Sequence, residues 1–147
     1  MTASAPSFTV RPATIDDIPV VLDNLIDNSL EDLLRCKLNP VLSLAIDMEN
    51  SKAYLISIGD KPAALVGFQS DCFWMHMCRG MEEHPVAFMK WAKRWFKQQR
   101  PDYLWNHTGI EYTQAIKMAK FFGFKILRVF PSTLTNTYLV EMVSLWQ

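Results

Sequence analysis

The chain has 147 residues, half of them hydrophobic, and 15 basic residues balance 15 acidic ones. This length fits one domain spanning 1–147 with one hydrophobic core, and the zero formal net charge gives no overall attraction to nucleic acid or anionic membranes. Because no segment approaches the roughly 20 continuous apolar residues of a membrane span and the three cysteines lack CxxC spacing, we expect a soluble protein in a reducing cytoplasm.

The first third of the chain predicts a strand followed by helices. Residues 1–7 are small and polar and should form a loose leader before the strand "FTVRPA". In "TIDDIPVVLDNLI", Thr14 and Asp17 have the spacing of a capping box, and the apolar residues recur at helical intervals. Ser29 begins a similar start signal for a second helix, which Pro40 breaks or bends before "VLSLAI" continues as a short helix.

The middle of the chain changes to strand periodicity. "KAYLISI" and "PAALVGF" flank a turn at Gly59, Asp60 and Lys61, so we expect a hairpin, with "DCFWMHMC" as a third antiparallel strand. "HPVAFMKWAKRWFKQQ" returns to helical spacing and carries a basic outer face. Such a face is usually the solvated side of a helix, so nucleic-acid binding is not expected.

The last third predicts a strand, a helix and two closing strands. "PDYLWNH" is typical of a buried strand, "YTQAIKMAKFF" of a helix that Gly123 stops, and "FKILRVF" and "NTYLVEMVSLW" of strands. The sequence therefore predicts an α/β fold, with a mixed, mainly antiparallel sheet of about seven strands flanked by about four helices.

This order of elements, an "RPAT-x-x-D" opening and the Gly123-Phe124 pair resemble the GNAT (GCN5-related N-acetyltransferase) superfamily along nearly the whole chain. The resemblance implies a sheet that splits in a V between its fourth and fifth strands, where acetyl-CoA enters. Within the superfamily, the "CFWM" strand, the Trp-rich basic helix and "LWN" are similar to the GNAT-like internal virion protein A of short-tailed bacteriophages. That likeness implies a host-cytoplasm or virion location and a phage or host protein as partner.

The loop expected to bind the cofactor departs from the family pattern. The resemblance places the pyrophosphate-binding "Q/R-x-x-G-x-G/A" amides in "CRGMEEHPVA", with Arg79 and Gly80 as the matching residues, and the strand-amide contact at Met77. Glu82 and Glu83 would repel a dianionic pyrophosphate, although acidic residues also suit the start of the following helix. Acetyl-CoA is the implied cofactor if the protein is active, and otherwise no cofactor is expected.

The late helix keeps the packing residues of the family and lacks the polar ones. Against "N-x-x-A-x-x-x-Y-x-x-x-G-F", Ala115, Gly123 and Phe124 match, whereas Tyr112 stands at the Asn position and Ala119 at the Tyr position. In the family that Tyr holds or protonates the departing thiolate, which Ala119 cannot do. The stretch therefore indicates the fold more strongly than the reaction.

His76 is the candidate catalytic base, because the resemblance places the base on this strand and an imidazole with an ordinary pKa accepts a proton at neutral pH. Tyr112 is the candidate acid, and Tyr103 is an alternative. Asn106 and His107 follow the fifth strand, where a polar pair could face a ligand. Each of these side chains could instead be a hydrogen-bonded core or turn residue. The "C-x3-H-x-C" ligands would span roughly 20 Å along one strand, so no metal is expected.

Two functions follow from these features. The leading hypothesis is a phage-encoded GNAT-fold protein with a degenerate acetyl-CoA site that serves as a virion-morphogenesis, internal virion or host-directed binding protein. The alternative is an active acyl-CoA-dependent N-acyltransferase that transfers an acetyl group to a small amine or a protein amine. A fold does not fix an activity, so the geometry of the site has to separate them.

Overall fold

A computed structural model describes residues 7–35, 39–99, 103–133 and 137–145. Seven strands in this part of the chain form one sheet in the order β1-β2-β3-β4-β5-β7-β6. The strands are β1 (Phe8–Pro12), β2 (Lys52–Ile58), β3 (Lys61–Gln69), β4 (Cys72–Met77), β5 (Tyr103–Gly109), β6 (Lys125–Pro131) and β7 (Tyr138–Leu145). All neighbouring strands are antiparallel except β4 and β5, which confirms the mixed, mainly antiparallel sheet.

Five α-helices lie in the described residues: α1 (Ile18–Asn24), α2 (Asp27–Arg35), α3 (Pro40–Glu49), α4 (Pro85–Gln99) and α5 (Thr113–Phe121). The count exceeds the predicted four because "VLSLAI" belongs to a separate helix that starts at Pro40. Proline suits a first helical position, and the Asn39 side chain accepts a hydrogen bond from the Val41 amide at 2.9 Å. No helix in the described residues is long and apolar enough to cross a membrane.

The two predicted helix-start signals have different outcomes. The Asp17 carboxylate accepts the Thr14 amide at 2.9 Å, which confirms the first signal, although a 3₁₀ turn precedes α1. The second is wrong, because α2 already begins at Asp27 and Ser29 lies inside its first turn. The Ser29 hydroxyl instead accepts a hydrogen bond from the Met77 amide in β4, 48 positions away.

The helices cover both faces of the sheet, and strand alternation assigns each β4 side chain to one of them. Trp74 and Cys78 pack with α1, α2 and α3, on what we call the α1–α3 face. Phe73 and Met77 pack with α4 and α5, on the α4–α5 face. This alternation places His76 on the α1–α3 face, together with Trp74 and Cys78.

Two turns predicted from glycine have the expected backbone conformation. Gly59 has a φ of 58° in the turn between β2 and β3, and Gly123 has a φ of 96° just after α5. The Phe124 amide then donates to the Ala119 carbonyl at 3.0 Å, which ends the helix in the manner of a Schellman motif. The hairpin and the helix stop are therefore confirmed.

The sheet splits between β4 and β5. These strands are joined at one end by the parallel pair Cys72 and Trp105, where the Trp105 amide donates to the Asp71 carbonyl at 2.9 Å. By contrast, β3 and β4 pair over six positions and β5 and β7 over seven. The V between the fourth and fifth strands, implied by the family resemblance, is confirmed.

Candidate functional site

The split between β4 and β5 encloses a cleft of about 190 Å³, which we call the β4–β5 cleft. β4 lines one side, β5 and α5 line the other, and Ile26 and Ser29 line it beside Met77. Because adjacent residues of a strand point to opposite faces, the cleft is lined from both faces of the sheet. Five of the sequence candidates line it: His76, Met77, Asn106, His107 and Tyr112.

On the α4–α5 face, the cleft is lined by the Asn106 amide and the start of α5. Tyr112 immediately precedes α5 and is buried, and Ala119 lines the cleft about two helical turns further along. The Asn106 Oδ1 atom is buried and has no hydrogen-bond partner within the described residues. Tyr103 belongs to β5, but its side chain falls outside the described part of the structure, as does Cys36.

On the α1–α3 face, His76 is 93% buried, since only 7% of its surface is exposed. Its ring lies 5.4 Å from the Trp74 ring, and its Nε2 atom is buried without a hydrogen-bond partner in the described residues. Burial lowers the pKa of His76 from 6.5 to about 4, because an imidazolium loses its hydration there. The expectation that His76 titrates near neutral pH is therefore wrong, and its ring is neutral at pH 7.

His107 lies on the same face, on the opposite strand of the cleft, in a different environment. Its Nε2 atom is 3.1 Å from Oε2 of Glu141, the residue that pairs with it in β7. Arg128 of β6 donates to the same oxygen from Nε at 3.2 Å and Nη2 at 3.1 Å. The imidazole also contacts Trp105 at 4.9 Å and Phe130 at 5.1 Å between ring centroids.

His107 was a candidate from the sequence, whereas its partners were not. Glu141 and Arg128 are 34 and 21 positions away along the chain, and neither belongs to a local motif. Strand alternation places each side chain on a face but does not specify which residues of two strands are opposite one another. The β5–β7 and β6–β7 registers bring the three groups together.

The free edge of β4 at the open end of the cleft is covered by the chain itself. Leu25 forms an isolated bridge with Cys78, and the Ile26 amide donates to the Met77 carbonyl at 3.1 Å. The Met77 amide donates to the Ser29 hydroxyl at 3.0 Å. The Met77 amide, which was predicted to contact the cofactor, is therefore already hydrogen-bonded to the Ser29 hydroxyl, and both residues line the cleft.

The loop expected to hold a pyrophosphate forms a 3₁₀ turn at Arg79–Met81. The amides of Met81, Glu82 and His84 donate to carbonyls within the turn, at 3.2, 3.0 and 3.2 Å. Arg79 is exposed, whereas Gly80 is buried against β3. A Cβ atom at Gly80 would lie 2.4 Å from the Pro62 carbonyl oxygen, so this glycine is required by packing.

The acidic residues of this loop are partly compensated. Glu83 pairs with Lys61 at the start of β3, and the hydrogen bond from Lys61 lowers the pKa of the Glu83 carboxyl. Glu82 is exposed. The amide groups of Val86 and Ala87 lie in the first turn of α4, where the helix itself offers no acceptor for their hydrogens, so they suit an anion. The repulsion expected from two adjacent acids is therefore reduced by one charge.

No protein-family model and no curated protein matches the sequence, whereas many solved structures match the fold. An aminoglycoside N(6')-acetyltransferase from Legionella pneumophila superposes with a TM-score of 0.72 at 13% identity, covering 97% of this chain and 94% of that chain. A spermidine N-acetyltransferase from Vibrio cholerae, in complex with CoA and spermine, gives 0.68 at 12% identity, covering 95% of each chain. The ribosomal-protein-S18-alanine N-acetyltransferase from Escherichia coli gives 0.62 at 11% identity, covering 96% and 95%.

These similarities, at such low identity, establish the GNAT fold. They extend over nearly the whole of each chain. The phage-virion role predicted from the sequence gains no support from them and stays a prediction.

Proposed function

We propose that the protein is an acyl-CoA-dependent N-acyltransferase that acts on a small-molecule amine. The observation that carries this proposal is the β4–β5 cleft with the buried acceptor atom Asn106 Oδ1 on one face and the buried imidazole of His76 on the other. An unsatisfied buried polar atom costs about 1 to 3 kcal/mol. A bound substrate that donates hydrogen bonds to these atoms would remove that cost.

The α4–α5 side of the cleft suits the acyl donor. The pantetheine arm of acetyl-CoA carries amide N–H groups, which Asn106 Oδ1 can accept. The first-turn amides of α4 and the exposed Arg79 side chain would hold the diphosphate, and the pairing of Glu83 with Lys61 lowers the negative charge nearby. The internally bonded 3₁₀ turn means that this chain would use fewer loop amides than the family pattern implies.

The α1–α3 side suits the acceptor amine. Because His76 is neutral at physiological pH, its ring can accept a hydrogen bond from the attacking amine and orient it toward the thioester carbon. Met77 would offer its amide to the negative charge that develops on the thioester oxygen, once the Ser29 hydroxyl moves away. Tyr112 is the candidate acid for the departing thiolate.

Similar structures support an amine acceptor. Three of them are N-acetyltransferases of spermidine, of an aminoglycoside and of a ribosomal-protein alanine, so proteins with this fold act on amines of different size. The 190 Å³ cleft favours the smaller amines over a protein chain.

The direct test measures acetyl-CoA binding and turnover. The unfolding midpoint should rise with acetyl-CoA, since a ligand at 100 times its dissociation constant adds about 2.7 kcal/mol of stability. Release of CoA thiol should then depend on an added amine, with spermidine, spermine and an aminoglycoside as the first panel. Absence of both binding and turnover would exclude the enzyme and favour a binding protein with this fold.

The role of Tyr112 is tested by Tyr112→Phe, which keeps the ring and removes the hydroxyl. We expect kcat to fall about 10²-fold or more, the lower range for a general acid, with little change in acetyl-CoA affinity. Tyr138→Phe is the matched control, because Tyr138 is exposed on β7 away from the cleft. Equal kcat for both variants would remove Tyr112 from the mechanism.

A further inference from the structure

We propose that His107 and Glu141, rather than His76, take the proton from the acceptor amine, with Arg128 holding the carboxylate in place. This inference rests on the proposed N-acyltransferase function and assigns one step of it. Of the two imidazoles that line the cleft, His107 has a charged partner in Glu141, a restricted orientation and access to solvent for the proton.

The orientation of the His107 ring follows from its neighbours. The Glu141 oxygen 3.1 Å from Nε2 accepts a hydrogen bond, so Nε2 carries the hydrogen and the lone pair of the neutral ring is on Nδ1. The rings of Trp105 and Phe130 contact the imidazole, at 4.9 and 5.1 Å, and restrict its rotation. A base hydrogen-bonded to an orienting carboxylate is the arrangement found in many catalytic pairs.

The carboxylate is kept ionised by its partners. Hydrogen bonds from His107 and then from Arg128 lower the pKa of Glu141, whose side chain is only 14% exposed. Arg128 lies over the Phe130 ring at 4.9 Å, and 63% of its side chain is exposed to solvent. The charged groups that face His107 are thus Glu141 from β7 and Arg128 from β6, with the neutral His76 of β4 across the cleft.

The two histidines differ in their ability to hold and release a proton. An imidazolium at His76 would be buried and would lack an anionic partner among the described residues. His107 has the Glu141 carboxylate to stabilise its imidazolium, and its side chain is 33% exposed, so the proton can pass to water. His76 then orients the amine, and His107 receives the proton directly or through one water molecule.

The proposed step is balanced. The amine nitrogen bonds to the thioester carbon and loses one proton to Nδ1 of His107, while the carbon–sulfur bond breaks and CoA leaves as a thiolate. The thiolate takes one proton from the Tyr112 hydroxyl, and the proton released by His107 to solvent restores it. The products are the N-acetyl amine and CoA thiol, with no oxidant or reductant required.

The test compares His107→Gln and Glu141→Gln with the matched control Glu49→Gln, which lies at the exposed end of α3. The full-length proteins are assayed with acetyl-CoA and an amine that the wild type acetylates. We expect His107→Gln to lower kcat about 10²- to 10⁴-fold and to abolish the rise of kcat with pH. Glu141→Gln should lower kcat less, and Glu49→Gln should match the wild type.

Acetyl-CoA affinity and the unfolding midpoint are the readouts that separate a catalytic role from a structural one. The affinity should stay close to wild type in His107→Gln, because the acyl donor occupies the other face of the cleft, and the midpoint should fall only by the loss of the hydrogen bond to Glu141 and of the ring contacts. A wild-type pH profile in a folded His107→Gln or Glu141→Gln protein would overturn this inference and leave the proposed function intact. If the wild type itself neither binds nor consumes acetyl-CoA, the proposed function fails and this inference fails with it.

Discussion

The two strands that border the cleft place a histidine in opposite environments. On β4, His76 is buried next to Trp74, and the adjacent open edge is covered by Leu25, Ile26 and Ser29. On β5, His107 is partly exposed and hydrogen-bonded to Glu141. The same side chain is therefore a neutral polar group on one strand and the partner of a carboxylate on the other. Neighbours, more than residue type, decide which chemistry each can perform.

The largest expected effect on stability concerns the aromatic packing behind β4, the strand that lines one side of the cleft. Phe73 is buried and its ring contacts Phe68, Phe96 and Phe124. Phe73→Ala should lower the free energy of unfolding by about 3 to 5 kcal/mol, from lost burial and the cavity that remains. Urea unfolding measures it. The control Phe121→Ala removes a ring that is 41% exposed and should cost much less. Equal losses of stability in the two variants would show that the buried ring of Phe73 contributes no more than the exposed ring of Phe121.

The second prediction uses the lowered pKa of His76. The folded pKa of about 4 lies below the ordinary 6.5, so between these values the unfolded chain binds a proton that the folded protein does not. Stability should therefore fall as the pH drops from 6.5 to 4, by about 2 to 3 kcal/mol from this group. His76→Gln should lose that part of the decline in urea unfolding measured at pH 7 and pH 4.5.

The control for the pH experiment is His84→Gln, which removes an exposed histidine. That variant should keep the wild-type loss of stability at low pH. If His76→Gln also keeps it, His76 is hydrated or paired in solution, and the contrast between the two cleft histidines would disappear.

The third prediction concerns the Ser29 hydroxyl, which accepts a hydrogen bond from the Met77 amide. Ser29→Ala should lower the free energy of unfolding by about 1 kcal/mol, the usual net value of one hydrogen bond. Acetyl-CoA should bind more tightly to the variant, because the acyl group no longer has to displace the hydroxyl. Calorimetric titration measures this affinity. Ser57→Ala on β2 is the control, and weaker binding by Ser29→Ala would show that the hydroxyl helps to hold the ligand.

The smallest effect is expected at the surface pair beside the cofactor loop. The side chains of Lys61 and Glu83 are 61% and 52% exposed, so solvent screens their attraction. Glu83→Gln should shift the unfolding midpoint less than Ser29→Ala does, and Lys61→Gln should behave alike. A large loss of stability in either variant would mean that the pair fixes the loop, in contrast to the screened pair expected here.

Much of the architecture was predictable from local patterns. Helical spacing, the hairpin glycine at 59 and the helix stop at Gly123 are properties of short segments, and each is confirmed. The family resemblance added the split between β4 and β5, which the strand order confirms. These features were accessible because backbone conformation and apolar periodicity depend mainly on near neighbours along the chain.

The candidate site was predictable only as a set of residues. His76, Met77, Asn106, His107 and Tyr112 all line the cleft, although Asn106 and His107, which were predicted to follow the fifth strand, lie inside β5. Their chemical states were not accessible, because burial and charge pairing depend on residues far away in sequence. The assignment of Ser29 to a helix start failed for this reason, since its hydroxyl contacts β4 instead.

The sequence by itself determined the order of strands and helices, because periodicity and turn residues act locally. It also determined which side chains of one strand share a face, because alternation along a strand is fixed by the backbone. Only the tertiary structure decided that Glu141 meets both His107 and Arg128, while His76 is buried without a carboxylate partner among the described residues. The register of β5, β6 and β7 sets those contacts, and a shift of one residue would have turned each side chain to the other face.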